Sequence, residues 1–398
     1  MEKKFGPALN PPLGRRYDLD WLRVIAFIIL IFYHVGMFFN YWGWHIKNNE
    51  QSNLIQVPMY FTGRWRMSLL FMISGAGVYF ALGSRSPGSF LRERFVRIFI
   101  PLLFGMLVIV PPQIYLERLT QGETYSYAEF YRSVFEFQPY PKGSFSWHHL
   151  WYLVYIFFYS LAGLPLLLFI RRNIRMTSKW AVFFQKPLAL ILIPVAWHVG
   201  GSALLGHRFP TTNDLIHDWN QHFHYFTLFV SGFVLCTQPA FWEILKKQRR
   251  LLLIVWLVLL PVVYYYYFSE REVTGLENIF NDLVKSTMTW CILLSFFGYA
   301  YVYLQFTNRF LRYANEAVYP FYILHQTVII CLAYPLINLP LHFWLKFGYL
   351  CVGTFGVCLV LYEFVIRRVS ILGLLFGLKP KKRRKVEDQG IPAISSES

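Results

Sequence analysis

The strongest constraint on this chain is a succession of ten apolar runs, at 20–40, 60–83, 98–116, 148–170, 187–205, 223–240, 251–268, 284–305, 318–338 and 343–366. Roughly 20 apolar residues cross the hydrocarbon of a bilayer as a helix. Backbone N–H and C=O groups find no water there, so such a run must satisfy them internally. The composition agrees: the chain is 56% hydrophobic and only 15% charged, too apolar for an ordinary soluble protein. The expected fold class is all-α integral membrane, with about ten transmembrane helices. The opening stretch MEKKFGPALNPPLGRRYDLDW lacks a signal-peptide layout, so the first run is expected to be a retained helix. The expected organisation is a segment at 1–19, a membrane domain at 20–366 and a basic tail at 367–398. The distal part of that tail, VEDQGIPAISSES, should be disordered.

The net charge of +17 would suit nucleic acid, but its distribution argues otherwise. Of the 38 Lys and Arg residues, 27 fall in the loops and termini of one side and 6 in the loops of the other. Positive residues accumulate on the cytoplasmic side of a membrane. Both termini are therefore expected in the cytoplasm, and an even number of spans follows. The run PKKRRK reads as juxtamembrane charge attracted to anionic headgroups. A bilayer is the expected partner and nucleic acid is not. The five cysteines lie in apolar runs, at spacings that match no metal pattern, and no disulfide is expected.

Polar groups inside the runs carry the functional argument, because ionisable residues in membrane helices are costly and mark sites. Arg23 and His34 are eleven residues apart in the first run, close to three helical turns, and so share a face roughly 16 Å apart along the axis. Asp18 and Asp20 precede Arg23 as possible partners. In the second run, GRWRMSLLFMISGAG, Arg64 and Arg66 are placed at the outer end, where Arg66 could meet an anionic group or anchor at the interface. Ser74, Gly75 and Gly77 permit close helix packing. Arg94 and Arg97, three apart, share a face at the cytoplasmic end of the third run. His148 and His149 open the fourth beside Trp151 and Tyr152. His325 lies in mid-membrane and Glu363 near the cytoplasmic end of the last run. The aromatic loop 117–147 reads either as an interfacial belt or as a stacking platform for sugar rings.

Sorted by depth, forked cations (Arg23, Arg94, Arg97) gather on the cytoplasmic side and histidines (His34, His148, His149, His325) gather above them. Guanidinium forks suit phosphates. A polyphosphate with an arm of about three helical turns would span the two groups, and coenzyme A has that shape. An imidazole at the thioester end could deprotonate an acceptor hydroxyl. An anion transporter with a charge-selective path of arginines fits the same residues, as does a non-enzymatic export scaffold. No zinc pattern, P-loop or dinucleotide motif is present, and no metal is expected.

The chain resembles the membrane acyltransferase-3 family. The features are Arg-x10-His in the first run, LFMISG (70–75), RFVRIFIP (94–101), HLWYL (149–153) and YILHQ (322–326), in this order along 16–379. Its likeness is greatest to the glucan biosynthesis C type, on DWLR, RMSLLFMISG and the ending LYEFVIRRVSILGLLFGLKP. The resemblance implies an enzyme of the bacterial inner membrane that moves a succinyl group from succinyl-CoA to hydroxyls of a periplasmic glucan. Acetyl transfer from acetyl-CoA to another cell-surface glycan is the alternative within the family. It makes Arg23 and His34 the essential pair, Arg94 and Arg97 donor-side cations, and Ser74 with Gly75 a tight helix contact near the pore. Arg66 is a candidate for the succinyl carboxylate, with His149, Trp151 and His325 in support.

Overall fold

The computed structural model describes residues 15–269 and 274–379. The PKKRRK run, the distal tail, most of the N-terminal segment and Arg271 lie outside the described residues. Twelve helices carry the architecture. They are α1 (Tyr17–Phe39), α2 (Gln56–Ser84), α3 (Pro87–Thr120), α4 (His148–Ala162), α5 (Leu164–Arg172), α6 (Ile174–Phe183), α7 (Pro187–Leu205), α8 (Trp219–Leu235), α9 (Pro239–Phe268), α10 (Gly275–Tyr303), α11 (Arg309–Leu336) and α12 (Phe343–Ile366). No strand forms among the described residues.

Among the described residues, eight helices are long and apolar enough to cross a membrane, and nine if α4 and α5 count as one broken span. The run expected as one span at 148–170 is formed by α4 and α5. It bends by 55° between α4 and α5, where Gly163 is followed by Leu164 and Pro165, whose ring removes a backbone donor. The run expected at 223–240 is realised as α8, which has 17 residues. It begins with the polar stretch Asn220, Gln221, His222, so only its second half reads as apolar.

Helix α3 departs from regular geometry twice, and each departure precedes a proline. Ile100 N–H reaches back to Phe95 O just before Pro101, and Val110 N–H reaches Gly105 O at 2.8 Å just before Pro111. These are π-turns, which bring in one extra residue and re-aim the side chains around them.

The core is built where α1 packs on α11 and α2, α2 on α8, and α9 on α10. The α2–α8 crossing depends on two glycines. A Cβ on Gly75 would lie 1.7 Å from Phe229 O, and one on Gly232 would lie 1.8 Å from Met72 O. The two backbones touch because neither helix carries a side chain at the crossing. Gly77 has open space instead and faces a cavity.

Candidate active site

Helices α1, α2, α3, α4 and α11 bring polar groups to two levels. At the first, Arg23, Arg94 and Arg97 line a single cavity of about 270 Å³ together with Ser74, Tyr152 and Asn315. Arg23 Nη1 donates to Asp20 Oδ1 and Asn315 Oδ1, both at 3.2 Å. Asp20 also accepts from Arg15, while Asp18 is held by Arg16. The Asp20 partnership read from the sequence is thus present, and the Asp18 partnership is not. Arg94 Nε is buried with no hydrogen-bond partner, and its guanidinium lies 4.8 Å from the Phe90 ring centroid. Arg97 is more committed. It pairs with Glu93 at 3.3 Å and donates to Gly377 O at 3.2 Å. Ser74 shares a 2.6 Å hydrogen bond with the Tyr152 hydroxyl, so it faces the cavity, while its neighbour Gly75 makes the helix contact.

At the second level the histidines converge. His34 from α1 and His325 from α11 meet with Nδ1 and Nε2 3.1 Å apart. His149 lies beside them, its ring centroid 5.2 Å from that of His325. The partners of each ring fix its tautomer. His325 Nδ1 donates to Tyr322 O at 2.7 Å, which leaves Nε2 as an acceptor. His34 Nδ1 donates to that nitrogen and to Leu30 O, also at 3.1 Å. His149 Nε2 donates to Ile323 O at 3.0 Å, and its Nδ1 accepts from Gln113 Nε2 at 3.3 Å. His34 Nε2 is then the lone pair that remains, with no hydrogen bond among the described residues. It belongs to the one partly exposed ring of the three. That is the arrangement of a base whose orientation is set by a second group.

Arg66 requires a correction. It is buried at 5% exposure rather than anchored at the interface, because α2 begins at Gln56 and places it well inside the helix. Its guanidinium stacks on Tyr33 at 3.8 Å, and Nε and Nη1 have no hydrogen-bond partner. Tyr33 in turn lies against His34, with ring centroids 5.6 Å apart.

Between the two levels lies an aromatic layer. Phe27 and Tyr322 have ring centroids 5.4 Å apart, and Tyr152 and Tyr322 6.0 Å apart. Phe27 and Tyr152 also line the arginine cavity, so this layer separates it from the histidines.

Several residues of the second level were not read from the sequence. Gln113, Gln326 and Thr327 join α3 to α11. Gln113 donates to Thr327 Oγ1 at 2.7 Å, and Gln326 donates to Gln113 Oε1 at 3.0 Å. Gln326 also reaches His45 Nε2 at 3.1 Å, and His45 Nδ1 meets Glu117 Oε2 at 2.5 Å. Only the HQ of YILHQ hinted at them. His148 stands apart from the His34 group and stacks on His45. Among the described residues, His45, Glu117 and His148 form the one group able to hold a metal ion.

The Trp151 ring packs against Phe71, Tyr155 and Tyr225, and its one histidine contact is the backbone N–H that donates to His148 O. Glu363 is held by Tyr313 and Arg367, and all five cysteines are free thiols. The aromatic loop folds on itself. Tyr125, Tyr127, Phe130 and Tyr131 interlock, and Phe130 is buried. Tyr127, Phe135 and Phe137 alone of the aromatics in 117–147 are left exposed.

The acyltransferase-3 family profile, described as an Acyltransferase domain, matches residues 16–363. The glucans biosynthesis protein C of Shigella dysenteriae serotype 1 is 22% identical over 95% of this chain and 98% of its own length. That of Escherichia coli strain K12 matches to the same extent. No solved structure matches the chain. The anion-transporter and export-scaffold readings, which the residues alone left open, fall with the family match, which makes this an enzyme. The two levels of polar groups lie inside an acyltransferase domain that spans almost the whole chain, and the protein belongs to the acyltransferase-3 family of membrane acyltransferases.

Proposed function

We propose that the protein is an inner-membrane O-acyltransferase that moves a succinyl group from cytoplasmic succinyl-CoA to hydroxyls of a periplasmic glucan. The observation that carries this reading is the vertical order of the site. Three arginines line one cavity, and an oriented histidine lies further along the same face of α1. Phosphates of the donor pair with Arg23, Arg94 and Arg97. The pantetheine arm passes the Phe27–Tyr152–Tyr322 layer, which has to part, and presents the thioester near His34, about 10 Å beyond Phe27 at 1.5 Å rise per residue.

His34 Nε2 takes the proton of an acceptor hydroxyl as its oxygen attacks the thioester carbonyl. The C–S bond breaks, the thiolate leaves with the electron pair, and the proton passes from the imidazolium to sulfur. His325 holds the imidazolium through Nδ1–H, as a positioning residue. The buried guanidinium of Arg66, unpaired beside the base, favours a donor that ends in a carboxylate over an acetyl group. A polar cavity of about 320 Å³ lined by Arg64, Ser68, Tyr225 and Lys285 is the approach we assign to the acceptor. The likeness to proteins of glucan biosynthesis supports a glucan there.

The test uses full-length protein in nanodiscs with labelled succinyl-CoA and purified glucan. Label is expected on sugar hydroxyls as an ester. Undiminished labelling by His34→Ala would remove His34 as the base. Labelling from acetyl-CoA alone would overturn the succinyl assignment.

A further inference from the structure

A second cluster, separate from the proposed acyl-transfer site, sits at the opposite end of the bundle from the arginine cavity. His45 lies in the segment after α1, Glu117 in the last turn of α3, and His148 at the start of α4. One ligand atom from each lies within 4.8 Å of the others. The remaining atom of each side chain is already held from outside. Gln326 Nε2 sits 3.1 Å from His45 Nε2, Tyr140 OH donates to Glu117 Oε1 at 2.7 Å, and Ser146 Oγ lies 2.7 Å from His148 Nδ1. Outer partners of this kind orient metal ligands and fix their tautomers. They leave His45 Nδ1, Glu117 Oε2 and His148 Nε2 within 4.8 Å of one another, with the His45 and His148 rings stacked at 4.5 Å. His148 Nε2 is buried and has no hydrogen-bond partner, a costly state for a polar atom. His148 also holds a φ of 39°, a strained backbone that a non-glycine residue keeps where its surroundings impose it.

We propose that His45, Glu117 and His148 bind one divalent transition-metal ion of the zinc class. Two imidazoles and one carboxylate are a ligand set that such ions take with a further position open. Metal bonds of about 2.0–2.2 Å set ligand atoms a little over 3 Å apart. The ion therefore replaces the proton shared by His45 Nδ1 and Glu117 Oε2 and opens their 2.5 Å contact by less than about 1 Å. His45 then carries its proton on Nε2, and Gln326 has to reorient together with Gln113, because its Nε2 serves both His45 Nε2 and Gln113 Oε1. Seated there, the ion ties the 40–55 segment, α3 and the entry to α4 into one wall beside the histidine cluster. The proposal does not depend on the acyl-transfer reading, since it concerns binding alone.

The test is metal content. Full-length protein is purified without a polyhistidine tag, stripped with chelator and titrated with Zn²⁺ and Co²⁺. One equivalent per chain is expected to survive gel filtration in metal-free buffer, with visible ligand-field bands for Co²⁺. Glu117→Gln and His148→Gln are expected to weaken binding at least about 100-fold, and Ser146→Ala about 10-fold through the orientation of His148. His217→Gln, which alters an exposed histidine paired with Asp214, should leave it unchanged. Wild-type uptake below a tenth of an equivalent would overturn the proposal and leave His45–Glu117 a metal-free hydrogen bond. So would full uptake by Glu117→Gln. Should His148→Gln fail to fold, the Ser146→Ala and Glu117→Gln titrations decide.

Discussion

The two ends of α3 handle polarity in opposite ways. At its N-terminal end, cations are offset by carboxylates: Glu93 meets Arg85 and Arg97, and Asp20 meets Arg15 and Arg23. The pairs are partly exposed and border a cavity. At its C-terminal end the polar groups are imidazoles and amides. They satisfy one another through Gln113, Gln326 and backbone carbonyls, and Glu117 is the one carboxylate they reach. The first end suits a ligand that brings its own charge. The second suits proton transfer, because neutral rings in fixed tautomers hold a lone pair where an ionised network would lose it. The contrast is between a mouth where cations meet carboxylates and an interior of imidazoles and amides in which the buried guanidinium of Arg66 is the one charge set against Tyr33 without a carboxylate.

The contrast can be broken most sharply at His34. His34→Ala is expected to reduce the transfer rate by about 10²–10⁴-fold, the usual worth of a general base, with donor affinity unchanged in equilibrium binding. His325→Ala should cost less, about 10–100-fold, since it removes the orienting acceptor and keeps the base. A loss equal to that of His34→Ala would make the pair a single unit. At the other end, Arg94→Ala with Arg97→Ala is expected to raise the donor KM about tenfold at low salt and less at high salt, because Arg97 is partly exposed at the cavity and its charge is screened. A fall in kcat at unchanged KM would contradict the division between the ends. Arg66→Ala is expected to change selectivity more than rate, lowering succinyl over acetyl preference by about tenfold. Equal losses with both donors would remove its role at the carboxylate.

The smallest expected effect concerns pH. Burial lowers the Lys47 amine from 10.5 to about 8, and its Nζ donates to Met37 O and Asn40 O in the loop after α1. The unfolded chain binds the extra proton across that window, so stability should rise with pH between about 8 and 10.5 and stay level below it. Lys47→Met should flatten that slope in thermal melts. Gly75→Ala serves as the structural control. Its new methyl group would collide with Phe229 O, so loss of folded protein is expected, with neither end spared.

Much of the fold was legible because membrane helices are written locally. Hydropathy placed helices at all ten positions, although a break at Gly163 and the polar start of α8 reduce those long and apolar enough on their own to eight. A break of this kind is hidden because Leu-Pro-Leu-Leu-Leu still counts as apolar. The shared face of Arg23 and His34 followed from helical period alone, as did the link of Arg94 to Arg97. Arg66 was misplaced for a local reason: the start of α2 is Gln56–Val57–Pro58, which hydropathy does not register, so the residue seemed nearer the helix end than it is.

By itself, the sequence determined that this chain is a bundle of membrane helices, that Arg23, Arg94 and Arg97 gather at a different depth from His34 and His325, and which residues of α1 face together. Tertiary structure alone decided that His325 is the partner of His34, that Gln113 and Gln326 bridge to His45, and that Tyr322 closes the layer above the arginine cavity. The physical reason is range. Burial in lipid and helical period act on residues a few positions apart. The His34–His325 contact joins side chains 291 residues apart, and which faces meet is set by the packing of small residues, such as Gly75 on Phe229, that no local pattern can orient.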